Sequence, residues 1–392
     1  MRHSAQVDLI HRFLKLRADR TTDMAPDTRH HDVGVYVDEG RATAEQALLF
    51  RGRPLVAALS GDLPDTGDCV AVDVGDVPTL LVRGEDGQVR AFLNACRHRG
   101  SRVAQGHGHA GRVFTCPYHA WTYDLHGDLL GQPLARDGFA GEDREALGLH
   151  PIPVAEVAGL VVVAPGTSGP LDVEDWLGGV HDELASWDFD RYRFFDERVV
   201  EVDCNWKLAY DTFLEAYHIF SLHSRTVGKG LLSTPAVGDT FGPHGRGVVF
   251  GKQLARTVAE LPEDEWDLLG HSSVVYQLFP NAVINLPSSG HAEVWQAYPH
   301  PSDPSRCRVH LRFYTPEGIP EGPEGDRSRA FFQRNLDFTA EVVLTEDFQQ
   351  QEAIQRNIAS GLMHEMVFGR NEPALQNFHA SIDAVLAREA AE

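Results

Sequence analysis

Two short groups of cysteine and histidine residues are candidate metal ligands. Cys96 and His98 are separated by one residue, and Cys116 and His119 by two, within the stretch ACRHRGSRVAQGHGHAGRVFTCPYHAWTY (95–123). Structural zinc sites usually combine like ligands at Cys-x₂₋₄-Cys or His-x₃₋₅-His spacing. Here each group mixes one thiol with one imidazole, and a Cys-x-His step does not readily direct both side chains at one tetrahedral ion. Zinc is the simplest alternative, but the spacing favours ligands for two adjacent metals.

The mixed pairs match the ligand set of a Rieske [2Fe–2S] centre, in which two thiolates hold one iron and two imidazoles hold the other. Gly100 and Pro117 suit the two loops that would close over such a cluster, and Tyr118 and Trp121 are candidates to shield it. The neutral imidazoles raise the reduction potential relative to an all-cysteine cluster. We therefore predict an electron-carrying centre on these loops.

A second candidate metal site lies in DTFLEAYHIFSLH (211–223). His218 and His223 are five residues apart, so a helix end or a distortion is needed to turn both imidazoles towards one ion. Two histidines and one carboxylate form the facial ligand set of non-haem Fe(II) oxygenases, which leaves adjacent positions open for O₂ and water. Glu215, one helical turn before His218, is the nearest local choice for the carboxylate.

Composition limits the classes of protein to which the chain can belong. Its 392 residues are 42% hydrophobic and 23% charged, as in ordinary soluble globular proteins. The net charge of −22, without a basic stripe, argues against a nucleic-acid or acidic-membrane partner. The five cysteines form too sparse a set for a disulfide framework and suit a reducing compartment. We find no signal-peptide core and no membrane-length apolar stretch, and we expect a cytoplasmic protein.

The residue pattern predicts a β-rich module followed by an α+β region. Val7, Ile10, Phe13 and Leu14 fall at helical spacing near the N-terminus. Short β-rich runs follow, namely DCVAVDV, PTLLVRG, VRAFLNA, RVFTCPY and LVVVAP, with a hairpin turn at EDGQ. Then come a helical pattern over residues 205–223 and four strands at SSVVYQLFP, NAVINLP, AEVWQAYPH and CRVHLRFYTP. The C-terminal part has a helical pattern.

Together the two motifs resemble those of the large (α) subunits of Rieske non-haem iron ring-hydroxylating oxygenases. The similarity rests on NACRHRGSRV…TCPYHAWTY, with 17 residues between His98 and Cys116, and on N-W-K…E-x-Y-H-x₄-H, and it extends from about Glu39 to the C-terminus. In this family the third iron ligand is an Asp far downstream. The matching segment LTEDFQQQEAIQR makes that residue Asp347, with Glu346 as the neighbour that could displace it.

The resemblance also implies a role for Glu215. In the family, the acid three residues before the first histidine bridges a Rieske histidine of one subunit to an iron-ligating histidine of the next, and such head-to-tail contacts close as a homotrimer. Glu215 occupies this position. Many ring dioxygenases use Asp there, and the pair Asp211–Thr212 stands where many members have Glu–Asn. Both departures leave the reaction subtype open.

The fold implied by the resemblance is α+β. An all-β Rieske [2Fe–2S] domain over residues 54–165 would precede a catalytic domain over residues 166–392, in which helices cover an antiparallel sheet in a helix-grip-like arrangement. Residues 1–53 would form an N-terminal helical segment that packs on the catalytic domain. The expected cofactors are the cluster at Cys96, His98, Cys116 and His119 and a mononuclear Fe(II) at His218, His223 and Asp347.

The function implied is that of a terminal oxygenase. Electrons from NAD(P)H would arrive through a separate reductase, with or without a ferredoxin, and O₂ would be used to hydroxylate an aromatic or similar small organic substrate. The absence of a Rossmann glycine fingerprint agrees with a separate reductase. Demethylation or monooxygenation of an N- or O-methyl or quaternary ammonium compound is the alternative. A Rieske electron carrier without oxygenase activity and a zinc-stabilised binding protein are the rivals from other classes.

Substrate chemistry stays open at this level. A substrate carboxylate would pair with a basic side chain, whereas a quaternary amine would need an aromatic cage. Candidates of the two kinds are Lys229, Arg246, Lys252 and Arg256, and Tyr276, Phe279 and Trp295.

Overall fold

A computed structural model of the chain describes residues 1–389, which separate into two compact units. The smaller unit comprises residues 50–176 and 187–192, and the larger unit comprises residues 1–49, 177–186 and the chain from 193 onward. The helices are α1 (His3–Ala18), α2 (Glu39–Glu45), α3 (Ala135–Gly138), α4 (Val173–Leu177), α5 (His181–Ala185), α6 (Trp206–Asp211), α7 (Leu254–Ala259), α8 (Pro323–Val342), α9 (Phe348–Ala359) and α10 (Pro373–Glu389). Two π-helical segments span Gln46–Arg51 and Val343–Asp347.

The strands are antiparallel in every pair whose register is given by the structure. They are β1 (Arg29–Asp32), β2 (Leu55–Leu59), β3 (Asp68–Val74), β4 (Val77–Arg83), β5 (Val89–Leu93), β6 (Gly106–His109), β7 (Val113–Thr115), β8 (Thr122–Asp124), β9 (Leu129–Gly131), β10 (Pro151–Ile152), β11 (Val154–Val157), β12 (Leu160–Val163), β13 (Tyr192–Val202), β14 (Val237–Phe241), β15 (His244–Phe250), β16 (Ser272–Leu278), β17 (Ala282–Leu286), β18 (Ala292–His300), β19 (Asp303–Pro316) and β20 (Glu365–Phe368). Helices and antiparallel sheets together confirm the α+β class.

The smaller unit is built from three antiparallel sheets. Their strand orders are β10-β5-β4-β3-β6, β11-β12-β2 and β7-β8-β9. The predicted EDGQ turn joins β4 to β5, where Gly87 takes a φ of +78° that favours glycine. Cys96 and Cys116 lie in a buried cluster with Phe92, Phe114 and Tyr123, so the two candidate ligand loops are anchored in the hydrophobic core of this unit.

The larger unit is organised around a seven-stranded antiparallel sheet with the order β13-β19-β18-β17-β16-β15-β14. Strands β16 to β19 coincide with the four predicted strands. Helix α6 packs on β18 and β19, α8 on β19, and α10 on β14 and β15. A short sheet pairs β1 with β20. Within residues 1–389, no helix combines the length and hydropathy needed to cross a membrane.

The predicted N-terminal helix is confirmed as α1. Leu9, Ile10 and Phe13 are buried on one side of it, and the Phe13 ring stacks on Phe250 of β15 at 4.3 Å between centroids. Apolar residues at this spacing bury one stripe of a helix against the core. The stripe therefore holds α1 against the seven-stranded sheet.

The helical pattern over residues 205–223 holds only in part. Asn205 caps α6 by accepting a hydrogen bond from the backbone N–H of Lys207, but α6 ends at Asp211. The chain then turns and forms a short 3₁₀ helix over Tyr217–Phe220. The side chain of Glu215 accepts the backbone N–H of His218 at 3.0 Å, which stabilises the start of this tighter turn. This break supplies the distortion that the five-residue spacing of the two histidines requires.

Candidate metal centres

Two loops of the smaller unit have the same backbone hydrogen-bond pattern. The N–H of Cys96 donates to the carbonyl of Ser101, as that of Cys116 does to Trp121, both at 2.8 Å. The carbonyls of the same two cysteines accept the N–H groups four residues on, from Gly100 and Ala120, at 2.8 and 3.0 Å. Both of those residues have positive φ, +76° and +56°. Each loop thus turns tightly enough to present its cysteine and its histidine side by side.

The four predicted ligands come together as a thiol pair and an imidazole pair. The Nδ1 atoms of His98 and His119 are 3.1 Å apart, and the side chains of Cys96 and Cys116 lie within hydrogen-bonding reach. No three of the four ligand atoms fall within 4.8 Å of one another, whereas ligands of one tetrahedral zinc ion would. Two separate pairs fit the two irons of a Rieske cluster, and the zinc alternative does not fit this geometry.

The surroundings of the two cysteines shift their thiol pKa values in opposite directions. Burial raises the pKa of the Cys96 thiol, although the Tyr123 hydroxyl, 3.2 Å from its Sγ, favours the thiolate. Burial also acts to raise the pKa of the Cys116 thiol, but the backbone N–H groups of Tyr118 and His119 outweigh it and the pKa is lowered. Hydrogen bonds to sulfur of this kind tune an iron–sulfur centre.

Aromatic rings cover one side of the imidazole pair. Trp121 is buried and stacks on His98 at 5.1 Å with 10° between the planes, and Phe139 meets both rings edge-on. Tyr118, by contrast, is 55% exposed and lies against His119 and Arg99. Trp121 therefore shields this site, whereas Tyr118 leaves the His119 side facing solvent.

The predicted ligands of the second site converge in the larger unit. Asp347 Oδ1 lies 3.2 Å from Nε2 of His223 and 3.5 Å from Nε2 of His218. Among residues 1–389 these three side chains form the one group of three or more candidate ligands whose atoms all lie within 4.8 Å. Two imidazoles and one carboxylate at these separations fit a facial non-haem iron site.

Each histidine of this group is also held by a second carboxylate. Glu215 accepts a close hydrogen bond from Nδ1 of His218, and Glu346 Oε2 lies 2.6 Å from Nδ1 of His223. Burial alone would lower the pKa of His223, but Asp347 and Glu346 outweigh it and the pKa is raised. Glu346 therefore occupies the far side of the imidazole from the metal-facing nitrogen and is not grouped with the metal ligands.

A cavity of about 700 Å³ opens beside His218 and Asp347. Its wall carries the acidic side chains of Asp211, Glu215, Asp347, Glu365 and Glu372, and no lysine or arginine is found among the described residues that line it. Leu208, Ile354, Met366, Phe368 and Leu375 supply the apolar part of the wall. The cavity is suited to a positively charged or hydrogen-bond-donating occupant.

Two of the four basic candidates for substrate binding, Arg246 and Lys252, are engaged by other protein groups. Arg246 forms ion pairs of 2.6 Å with both Asp239 and Glu183, and Lys252 donates to the carbonyl of Gly228. Because two carboxylates already balance its charge, Arg246 is not free to bind a substrate carboxylate.

Two family models cover most of the chain. Residues 53–147 match the Rieske [2Fe-2S] domain, and residues 189–388 match the catalytic domain of the ring hydroxylating alpha subunit. The chain belongs to the ring-hydroxylating alpha-subunit family. This membership confirms the predicted family, the order of a Rieske domain before a catalytic domain, and the cofactor classes that these domains carry.

Similar proteins place this alpha subunit among Rieske oxygenases of several kinds. The glycine betaine monooxygenase oxygenase subunit of Chromohalobacter salexigens is 34% identical over 211 residues, which cover 53% of this chain and 45% of that protein. The biphenyl dioxygenase subunit alpha of Paraburkholderia xenovorans is 25% identical over 414 residues, covering 92% and 88%. The quaternary ammonium Rieske monooxygenase CntA shares the fold, with a TM-score of 0.77 at 22% identity and coverage of 92% and 96%. The chain spans about half the length of the glycine betaine monooxygenases that it matches.

The sequence of this alpha subunit did not predict several of the side-chain contacts around the candidate ligands. Tyr123 ends the quoted cysteine–histidine stretch, but nothing in its spacing indicates a contact with Cys96. Thr226 follows His223 by one helical turn, which was the only available hint that it bonds Glu346, as its hydroxyl does at 2.9 Å. The sequence position of Glu346, next to Asp347, indicates only a substitute metal ligand.

Proposed function

We propose that the protein is the terminal oxygenase component of a Rieske oxygenase system. It would use O₂, two electrons and two protons to hydroxylate a small organic substrate, and the electrons would come from NAD(P)H through a separate reductase, with or without a ferredoxin. One observation carries this proposal: a single chain holds both a paired Cys₂His₂ set and a compact two-histidine, one-carboxylate set. An electron carrier would need only the first set.

The roles of the residues follow from their placement. Cys96 and Cys116 would hold one iron of the cluster and His98 and His119 the other; His218, His223 and Asp347 would hold the mononuclear iron. When bound, the cluster stores one electron and the mononuclear iron activates O₂. The protein's contribution is to fix the imidazoles by hydrogen bonds at their remaining nitrogens and to bury Asp347 between them.

For Glu215 we propose the inter-subunit bridge. Its carboxylate bonds His218 and also lines the acidic cavity, so one side faces the metal site and the other faces an open space. The cluster loops carry the exposed Arg99 and Tyr118 beside His119. Charge complementarity supports docking of these loops from one copy into the acidic cavity of the next, a heterologous contact that closes as a homotrimer.

We also propose that the protein works in the cytoplasm. All five cysteines are free thiols and all are buried, as suits a reducing compartment. The reductase would then be another cytoplasmic protein.

Two substrate classes have support. An aromatic or similar apolar substrate agrees with the biphenyl dioxygenase relative. A quaternary ammonium or N-methyl substrate agrees with the glycine betaine relative and with the wall of the cavity beside His218 and Asp347. The described residues that line this cavity include several carboxylates and no lysine or arginine, which favours a cationic occupant.

The testing experiment is anaerobic purification followed by counting of metals. About three irons and two acid-labile sulfides per chain are expected, the sum of one [2Fe–2S] cluster and one mononuclear iron. Oxygen uptake is then measured with a partner reductase and either biphenyl or glycine betaine; attack on an N-methyl group releases formaldehyde, whereas ring attack does not. Two irons without a third, and no substrate-dependent oxygen uptake, would leave an electron carrier.

A further inference from the structure

Both ring nitrogens of His223 are engaged by consecutive residues of the chain. Nδ1 lies 2.6 Å from Glu346 Oε2, and Nε2 lies 3.2 Å from Asp347 Oδ1. The side chain of His223 is 6% exposed, so water does not compete for either nitrogen. The imidazole is therefore held from both ends by one dipeptide.

The local backbone explains how neighbouring side chains reach the same ring. Glu346 and Asp347 end the π-helical segment Val343–Asp347, which interrupts the helical run between α8 and α9. In a regular α-helix successive side chains point about 100° apart. A π-helical turn is wider and is frequently found at functional sites. This widened turn lies where the two carboxylates meet His223.

A second contact fixes Glu346 on its other side. The Thr226 hydroxyl donates to the same Oε2 at 2.9 Å. Because the backbone N–H of Thr226 bonds the carbonyl of His223, the hydroxyl and the imidazole come from one turn of chain. Glu346 thus joins the turn that begins at His223 to the segment that supplies Asp347, two parts of the chain 120 residues apart.

We propose that Glu346 is the positioning residue of the mononuclear site, and this inference rests on the proposed function. A carboxylate accepts hydrogen bonds, so Nδ1 of His223 donates its proton to Glu346, which leaves Nε2 as the nitrogen available to a metal held between His223 and Asp347. Glu346 thereby selects the metal-binding tautomer and orients the ring.

Glu346 and Glu215 have different surroundings, although each bonds one metal-site histidine. Glu215 lines the acidic cavity of about 700 Å³, whereas Glu346 does not. Glu346 instead has the Thr226 hydroxyl as its second partner. The two acids therefore have different roles. Glu215 can contact a group that enters the cavity, whereas Glu346 contacts parts of the metal site itself.

The test measures metal binding by the full chain with its cluster retained. Co(II) is titrated into protein depleted of the third metal, and affinity is read from the cobalt absorption and by competition with a chelator. For Glu346→Leu we expect about 10- to 100-fold weaker binding and an altered cobalt spectrum. Glu346→Gln, which keeps an acceptor oxygen, should fall between wild type and Glu346→Leu. Thr226→Val, which keeps the shape of the side chain, should weaken binding about two- to tenfold.

Controls separate this role from a general loss of structure. Glu341→Gln removes an exposed carboxylate of the preceding helix and should leave cobalt affinity unchanged. Cluster absorption and thermal unfolding report whether each variant is folded. If Glu346→Leu does not fold, Thr226→Val is used in its place. Wild-type affinity and spectrum in both Glu346→Leu and Thr226→Val would overturn this inference alone. A wild-type chain that binds no third metal would overturn the proposed function as well.

Discussion

Lys207 and Glu45 form an ion pair from which solvent is excluded. The Lys207 Nζ lies 2.9 and 2.7 Å from the two carboxylate oxygens, and the side chains are 0% and 1% exposed. The indole N–H of Trp206 donates to the same carboxylate at 2.9 Å. Since Glu45 ends α2 and Lys207 lies at the start of α6, the pair fastens the N-terminal segment to the helix that leads into the metal-binding histidines.

Removal of one partner from this pair should be strongly destabilising. Burial already lowers the pKa of Lys207 against the opposing effect of Glu45. In Glu45→Gln the ammonium loses its counter-charge, and we expect the free energy of unfolding to fall by about 3–5 kcal/mol. Chemical denaturation of the purified variant measures this loss.

Two further variants test the cause. Glu39→Gln removes an exposed acid in the first turn of the same helix and should lower stability by at most about 1 kcal/mol, the contribution of a charge at a helix N-terminus. The double change Glu45→Leu with Lys207→Met should recover much of the loss, because neither charge of the pair is then buried and Arg41, which bonds Glu45 at 2.9 Å, keeps Asp383 as a partner at 2.8 Å. Equal stability of Glu45→Gln and Glu39→Gln would contradict the assigned role.

The hydrogen bond from Tyr123 to Cys96 should raise the reduction potential of the cluster. Its hydroxyl, 3.2 Å from Sγ, also accepts the backbone N–H of Arg97 at 3.0 Å, so its proton is directed at the sulfur. A donor to sulfur stabilises the more negative, reduced state. In Tyr123→Phe we expect the potential to fall by about 20–60 mV, the equivalent of one ordinary hydrogen bond for a one-electron couple. Protein-film voltammetry measures it; Tyr118→Phe, at an exposed ring, should leave the potential in place.

Asp347→Ala should empty one metal site and leave the other intact. Asp347 lies within reach of both histidines of the larger unit, and the cluster ligands belong to the smaller unit. Iron should drop from about three to about two per chain, with sulfide and the visible spectrum of the cluster unchanged. Metal analysis of the anaerobically purified variant decides this, and retention of the third iron would show that Asp347 is not the ligand.

We expect low pH to lower the free energy of unfolding because it protonates Glu197. Burial acts to raise the pKa of its carboxyl, but the hydrogen bond with His310 at 2.8 Å and the charge of Arg312 outweigh it and lower the pKa to about 2. The unfolded chain takes up a proton near pH 4.5, whereas the folded chain does so only near pH 2. The stabilisation, at most ~3 kcal/mol, is therefore complete above pH 4.5 and is lost as the pH falls towards 2.

A stability profile against pH tests this sign. In Glu197→Gln the free energy of unfolding should be lower at neutral pH and should fall less steeply between pH 4.5 and 2 than in wild type. Parallel profiles for the two proteins would exclude Glu197 as a source of the acid sensitivity.

Local patterns were enough to predict much of the fold and the ligand types. Cys96 with His98 and Cys116 with His119 are neighbours in sequence, so their mixed spacing already favoured two metals over one. Strands β16 to β19 follow from β-rich runs bounded by turns. The choice of Asp347 over Glu215 needed the family resemblance, because no local pattern tells which distant carboxylate approaches His218.

Contacts between distant parts of the chain were beyond such reasoning. Glu346 bonds His223 across 123 residues, and Glu45 bonds Lys207 across 162. The end of α6 at Asp211 was also missed, since its apolar spacing continues beyond the point where Glu215 stabilises a tighter turn. These features depend on tertiary packing, which overrides local propensity.

The matching hydrogen-bond patterns of the two cluster loops have a consequence for the stability of the smaller unit. Each loop contributes one thiolate and one imidazole, so each iron would be held by both loops. A bound cluster would act as a covalent cross-link that closes the 17 residues between His98 and Cys116. Closing a loop of this size lowers the entropy of the unfolded chain by the equivalent of about 3 kcal/mol. Loss of the cluster would therefore lower the free energy of unfolding of the smaller unit as well as remove its electron carrier.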